Sequence, residues 1–155
     1  MSNSSTSRAL APGEEFLFAG VKMRAFDGSL TGGRYSLIVS EFFAGWETPW
    51  HLHRLEDECL YLIRGSVSAK MGDQPYGTLR AGDFVFLPRG VAHGFRVLEE
   101  TEILTVMTPP GLERFFREAS FDFTERDFTP ELGTETAIPH EQQYGLEIFA
   151  GLPDA

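Results

Sequence analysis

The 155-residue chain has a single cysteine, Cys59, so no intrachain disulfide can form and no thiolate cluster can hold zinc. Long apolar runs are missing too. No stretch approaches the roughly 20 residues that a membrane-spanning helix needs, and the opening MSNSSTSRALAPGEE is too polar for a secretory signal. Basic residues are scarce: Lys and Arg total 13 against 23 Asp and Glu, a formal net charge of −10. So acidic a surface repels phosphate backbones and anionic lipid, which argues against nucleic-acid and membrane partners. The expectation is a soluble cytoplasmic protein whose partner is a small-molecule substrate.

An apolar fraction of 42%, with fourteen Phe, is enough for one well-packed domain. Residues 1–13 are Ser-rich and read as a flexible leader. From Phe16 to about Met107, short apolar or alternating segments recur between turn residues. Phe16–Phe18, Val21–Phe26, Tyr35–Phe43, Trp50–His53 and Cys59–Arg64 are the first five predicted strands. Val67–Met71, Thr78–Leu79, Phe84–Leu87, Ala92–Val97 and Glu102–Met107 follow. Many short strands separated by Gly and Pro turns point to an all-β sandwich or barrel. After Pro109-Pro110-Gly111, Leu112, Phe115, Phe116 and Ala119 fall on one face of a short helix, with Arg114, Arg117 and Glu118 opposite. Packing, rather than a substrate lid, is the expected role of that helix. The tail, 121–155, mixes Phe121, Phe123, Phe128, Tyr144 and Phe149 with Pro and Gly, and either packs on the barrel or completes an interface.

Three of the four histidines lie between positions 51 and 93. His51 and His53 are two apart in a predicted strand, so their side chains project to the same face. Glu58 follows after a short charged link and opens the next strand, and His93 comes just past the turn Pro88-Arg89-Gly90. Three imidazoles and a carboxylate suit one divalent ion such as iron, nickel, manganese, cobalt or zinc, whereas calcium prefers an all-oxygen shell.

The segment containing Gly45, His51, His53, Glu58 and Gly65 resembles the first cupin motif, G-x5-H-x-H-x4-E-x6-G. Gly82, Pro88, Gly90 and His93 match the second, G-x5-P-x-G-x2-H, with Val97 where that motif usually ends in Asn. The resemblance, strongest to bacterial single-domain cupins of the quercetin-dioxygenase-like kind, implies an all-β cupin jelly-roll β-barrel over residues 14–120, a short C-terminal helix and an extended tail. It implies His51, His53, Glu58 and His93 as metal ligands, with Glu58 also the candidate general base. The activity it implies is a metal-dependent dioxygenase acting on a hydroxylated aromatic or enolic molecule. A non-redox isomerase, cyclase or epimerase, or a binding cupin without turnover, fits the same ligand set. A homodimer is the implied assembly, with the Phe-rich tail and N-terminal strands as candidates for the contact.

Parity extends the site further. Leu60 and Leu62 share a face with Glu58, and Phe95 and Val97 with His93, so these four are candidate lining of a substrate pocket. Cys59 faces away from Glu58 and reads as a small buried hydrophobe. Trp50 alternates away from His51 and suits outer packing. Glu47, Glu56 and Asp57 read as solvated rim charges, and His140 as a surface residue.

Overall fold

The computed structural model describes residues 13–119 and 127–155. The first stretch holds ten strands: β1 (Glu14–Phe18), β2 (Val21–Phe26), β3 (Ser36–Phe42), β4 (Trp50–His53), β5 (Asp57–Arg64), β6 (Ser66–Met71), β7 (Gly77–Arg80), β8 (Phe84–Leu87), β9 (His93–Val97) and β10 (Thr101–Thr108). Each coincides with a predicted strand to within a few residues. A short helix, α1 (Glu113–Glu118), follows, then α2 (Pro130–Ala137), α3 (Glu141–Tyr144) and an eleventh strand, β11 (Leu146–Ala150). The predicted leader (Gly13 apart), Phe121 and Phe123 lie outside the described residues.

The strands form two antiparallel sheets, in the order β1-β2-β3-β10-β5-β8 and β11-β4-β9-β6-β7. Period-2 patterning decides which face is buried. In β2, Val21, Met23 and Ala25 point inward while Lys22 and Arg24 face solvent. Ile38 and Phe42 from β3, Leu60 and Leu62 from β5, Phe95 and Val97 from β9, and Ile103 and Met107 from β10 complete a core shared by the two sheets. The opposite parity of β5 and β8 leaves Tyr61, Ile63, Phe84 and Phe86 exposed on the outer face. Cys59 shares that face and is partly exposed, not buried as the sequence reading had it.

Gly65 makes the turn from β5 to β6 at φ +85°, where any Cβ would run into the Glu100 carbonyl, so the glycine that closes the first motif is there for steric reasons. Helix α1 seats Leu112, Phe115 and Ala119 in the core, as the 3.6-residue period predicts. The elements that the sequence did not announce are α2, α3 and β11. β11 pairs with β4 through Leu146↔His53, Glu147↔Leu52 and Ile148↔His51, so part of the tail completes a sheet. The run Leu146–Ala150 between Gly145 and Gly151 carried a strand signal of ordinary length, masked by the Pro- and Gly-rich texture around it.

Candidate metal centre

Strand β4 brings His51 and His53 to one face, and register pairs His51 directly with His93 at the start of β9. Ring centroids lie 4.6 Å apart for His51 and His93, 5.0 Å for His51 and His53, and 5.2 Å for His53 and His93. One ring nitrogen from each of the three falls within 4.8 Å of the others. The backbone orients two of the rings. His51 Nδ1 lies 2.8 Å from the Pro49 carbonyl and His93 Nδ1 3.0 Å from that of Val91. A carbonyl only accepts, so both Nδ1 atoms carry the proton and donate it, which leaves each Nε2 free to offer its lone pair.

Glu58 stands against this cluster. Its Oε2 is 3.3 Å from His53 Nε2 and 3.2 Å from His93 Nε2. Neither buried Nε2 has a hydrogen-bond partner among the described residues, nor does His53 Nδ1. An imidazole lone pair facing a carboxylate oxygen at this distance places two acceptors together, which is favourable only with a cation between them, either a ring proton or a metal ion. The donor set therefore fits a divalent transition ion. Burial, followed by the neighbouring His93 and His53, pushes His51 well below its usual value, so it is neutral at pH 7 as a ligand must be. Burial opposes ionisation of Glu58, but contacts from His53 and His93 outweigh it and hold the carboxyl well below the usual range.

The three acids expected on a solvated rim behave differently from one another. Asp57 alone fits, and even it is engaged: both its oxygens take bonds from the Arg89 guanidinium, and its pKa falls to about 2. Glu47 is nearly covered, pairs with Arg96 and lines the interior cavity. Glu56 is only 5% exposed, because the β4–β5 turn folds its side chain inward, and burial pushes its pKa up. His140 sits half-buried with its ring 5.7 Å from Phe115, away from the cluster. Trp50 is half-buried opposite Ala150 of β11.

Beside the histidines opens a cavity of about 90 Å³, several times the ~10–15 Å³ that one water needs. Its walls are largely apolar, with the rings of Phe18, Phe42, Trp46, Phe95, Phe115 and Phe116 set among aliphatic residues such as Ile38, Leu60 and Ile103. Phe42 meets Phe95 edge-on at 5.5 Å and Trp46 at 4.8 Å, while Phe18 contacts both Phe115 and Phe116. Among the described residues, no Lys or Arg lines it. Helix α1 thus packs and also forms a wall.

Of the four residues proposed for a pocket, Leu60 and Phe95 line this cavity, whereas Leu62 and Val97 do not. Both of the latter are buried at 2% exposure or less, deeper in the core. Parity gives the correct face but not the depth along the barrel. Trp46 went unrecognised as lining. The segment 45–48 runs along β9, with hydrogen bonds from Gly45 N–H to Val97 O, Thr48 N–H to Phe95 O and Val97 N–H to Trp46 O. This turns the indole inward, where it donates to the Ala19 carbonyl. Only the single Trp46 inside a turn-like stretch could have signalled it.

Residues 39–108 match the cupin domain family. The chain is 32% identical over 85 residues to quercetin 2,3-dioxygenase from Aspergillus japonicus, a match that covers 52% of this chain and 24% of that enzyme. The chain therefore spans about a quarter of that relative's length. An RmlC-like cupin from Shewanella frigidimarina superposes with a TM-score of 0.56 at 24% identity, over 66% of this chain and 88% of the other. KdgF from a Halomonas species gives 0.55 at 18% identity, over 61% and 85%. A sugar phosphate isomerase from a cupin superfamily, from Silicibacter pomeroyi, gives 0.54 at 19% identity, over 62% and 71%. At these identities the three structures establish the fold. No helix of the described residues is long and apolar enough to cross a membrane.

Proposed function

The chain belongs to the cupin superfamily, and on that premise we propose that it is a metal-dependent dioxygenase acting on a small hydroxylated aromatic or enolic molecule. The observation that carries this reading is the histidine–carboxylate cluster opening into an aromatic cavity whose described lining has no Lys or Arg. Such walls favour a flat, uncharged ring and offer nothing to a phosphate or a second carboxylate. The partial likeness to a quercetin 2,3-dioxygenase supports the same choice.

His51, His53, Glu58 and His93 would hold the ion, which is iron, nickel, manganese, cobalt or zinc by the chemistry of the donors. A redox-active ion held there supplies Lewis acidity toward an oxygen of the substrate and a path for electrons between substrate and dioxygen. The protein's own part is binding, orientation and proton handling. Phe42, Trp46 and Phe95 provide faces and edges for an aromatic ring. Phe18, Phe115 and Phe116 add the apolar part of the wall that comes from β1 and α1. Two carboxylates reach the cavity, Glu47 and Glu58. Arg96 engages Glu47, whereas Glu58 has only the histidines beside it, so Glu58 is the base that takes the proton of a substrate hydroxyl.

The test is an oxygen-electrode assay of metal-loaded protein with a panel of flavonols, catechols and enolic diketones. Dioxygen uptake in step with substrate loss is expected. Substrate conversion without uptake would replace this reading by a non-redox isomerase, cyclase or epimerase, and tight binding without conversion would leave a binding protein.

A further inference from the structure

A second cavity of about 160 Å³ lies between the sheets at the end where the turn after β6, with Gln74 and Pro75, leads into β7. Its wall is mostly apolar, formed by Leu60, Val85 and Leu87 from one sheet and Ala69, Met71 and Leu79 from the other, with Lys70 and Gln74 also lining it. The first cavity also draws on β1–β4, β10, α1, α2 and β11, none of which lines the second. The two share Leu60, Leu87, His93 and Phe95, so His93 is reached from both sides of the barrel interior.

We propose that this second cavity is a separate passage by which a small uncharged molecule, dioxygen, reaches the metal centre without using the mouth that admits the organic substrate. The proposal rests on the dioxygenase reading. The wall disfavours any ion or strongly hydrated molecule, which would shed its water against Leu, Val and Met with nothing in return. The cation at the lip is already committed: Lys70 Nζ donates to the Gln74 carbonyl at 2.7 Å and sits 5.7 Å from the centre of the Tyr76 ring. Apolar cavities take up apolar guests, xenon included. A separate route also has a kinetic consequence, since an aromatic substrate filling the first cavity would otherwise block dioxygen behind it.

Ala69 is the place to close the passage. It is the small side chain of the wall, opposite Phe95 and Gly77 in register, and it lies outside the aromatic cavity. Xenon is applied under pressure to crystals of the metal-loaded wild type and of Ala69→Phe, and steady-state kinetics are run on both. Leu79→Phe, on edge strand β7, serves as a second obstruction should Ala69→Phe misfold. Xenon is expected between Ala69 and Val85 in the wild type and absent there in either variant. The KM for dioxygen is expected to rise about tenfold, with the KM for the organic substrate and the bound metal unchanged. Xenon confined to the aromatic cavity, or an unchanged dioxygen KM in a variant that excludes xenon, overturns the passage alone. A wild type that takes up no dioxygen overturns the functional reading beneath it.

Discussion

Glu58→Gln is expected to lower turnover by roughly 10²–10⁴-fold at saturating metal, the usual cost of losing a positioned general base. The substitution keeps size and shape while removing the charge and the ability to take a proton. Glu58 is the cavity carboxylate with no Arg or Lys against it among the described residues, and its Oε2 lies within 3.3 Å of two histidine Nε2 atoms. Glu47 cannot replace it while bound to Arg96. Because Glu58 is also a proposed ligand, metal affinity falls in the same variant. The decisive quantity is therefore kcat measured with the site shown to be full, and a kcat near that of the wild type would remove Glu58 from its role as base.

The second large effect comes from the tail. A chain ended after Gly145 lacks β11, and β4, which carries His51 and His53, then keeps one register pair, His51↔His93. It loses its pairing to Leu146, Glu147, Ile148 and Ala150, and the ion pair between Arg54 and Glu147. Ile148 N–H, which donates to Glu141 Oε1 at 2.6 Å, goes as well. Removing buried Leu146 alone costs about 2–5 kcal/mol. A four-residue strand left with a single register pair cannot hold two imidazoles to within the few tenths of an ångström that a metal requires. Chelator competition is expected to show metal affinity reduced by at least about 100-fold, with thermal unfolding at lower temperature. Unchanged affinity in the shortened chain would mean that β4 is held by other contacts.

Much of this centre was legible before any coordinates. The His-x-His spacing gives a common face whatever the strand's neighbours, and the ten strand segments up to Met107 each carried their own pattern and turn residues. Other features depend on information that local pattern does not hold. Leu62 and Leu60 share parity, yet only Leu60 reaches the cavity, because depth along a barrel is set by strand tilt and stagger. Glu56 is charged and lies in a polar link, so nothing local told that the turn would carry it inside beside His53. β11 is an ordinary strand whose role comes from its partner, and long-range pairing is what periodicity leaves out. The aromatic walls from Phe18, Trp46 and Phe116 are contributed by three distant segments and converge only in the folded chain.

The central claim is that His51, His53 and His93, with Glu58, form one divalent metal site. Elemental analysis of untagged protein, alongside His51→Ala after reconstitution with the same metals, tests it most directly. The account predicts about one transition-metal ion per chain in the wild type, lost in His51→Ala. A wild type that holds no ion after reconstitution, or a His51→Ala protein that retains it, would contradict the claim.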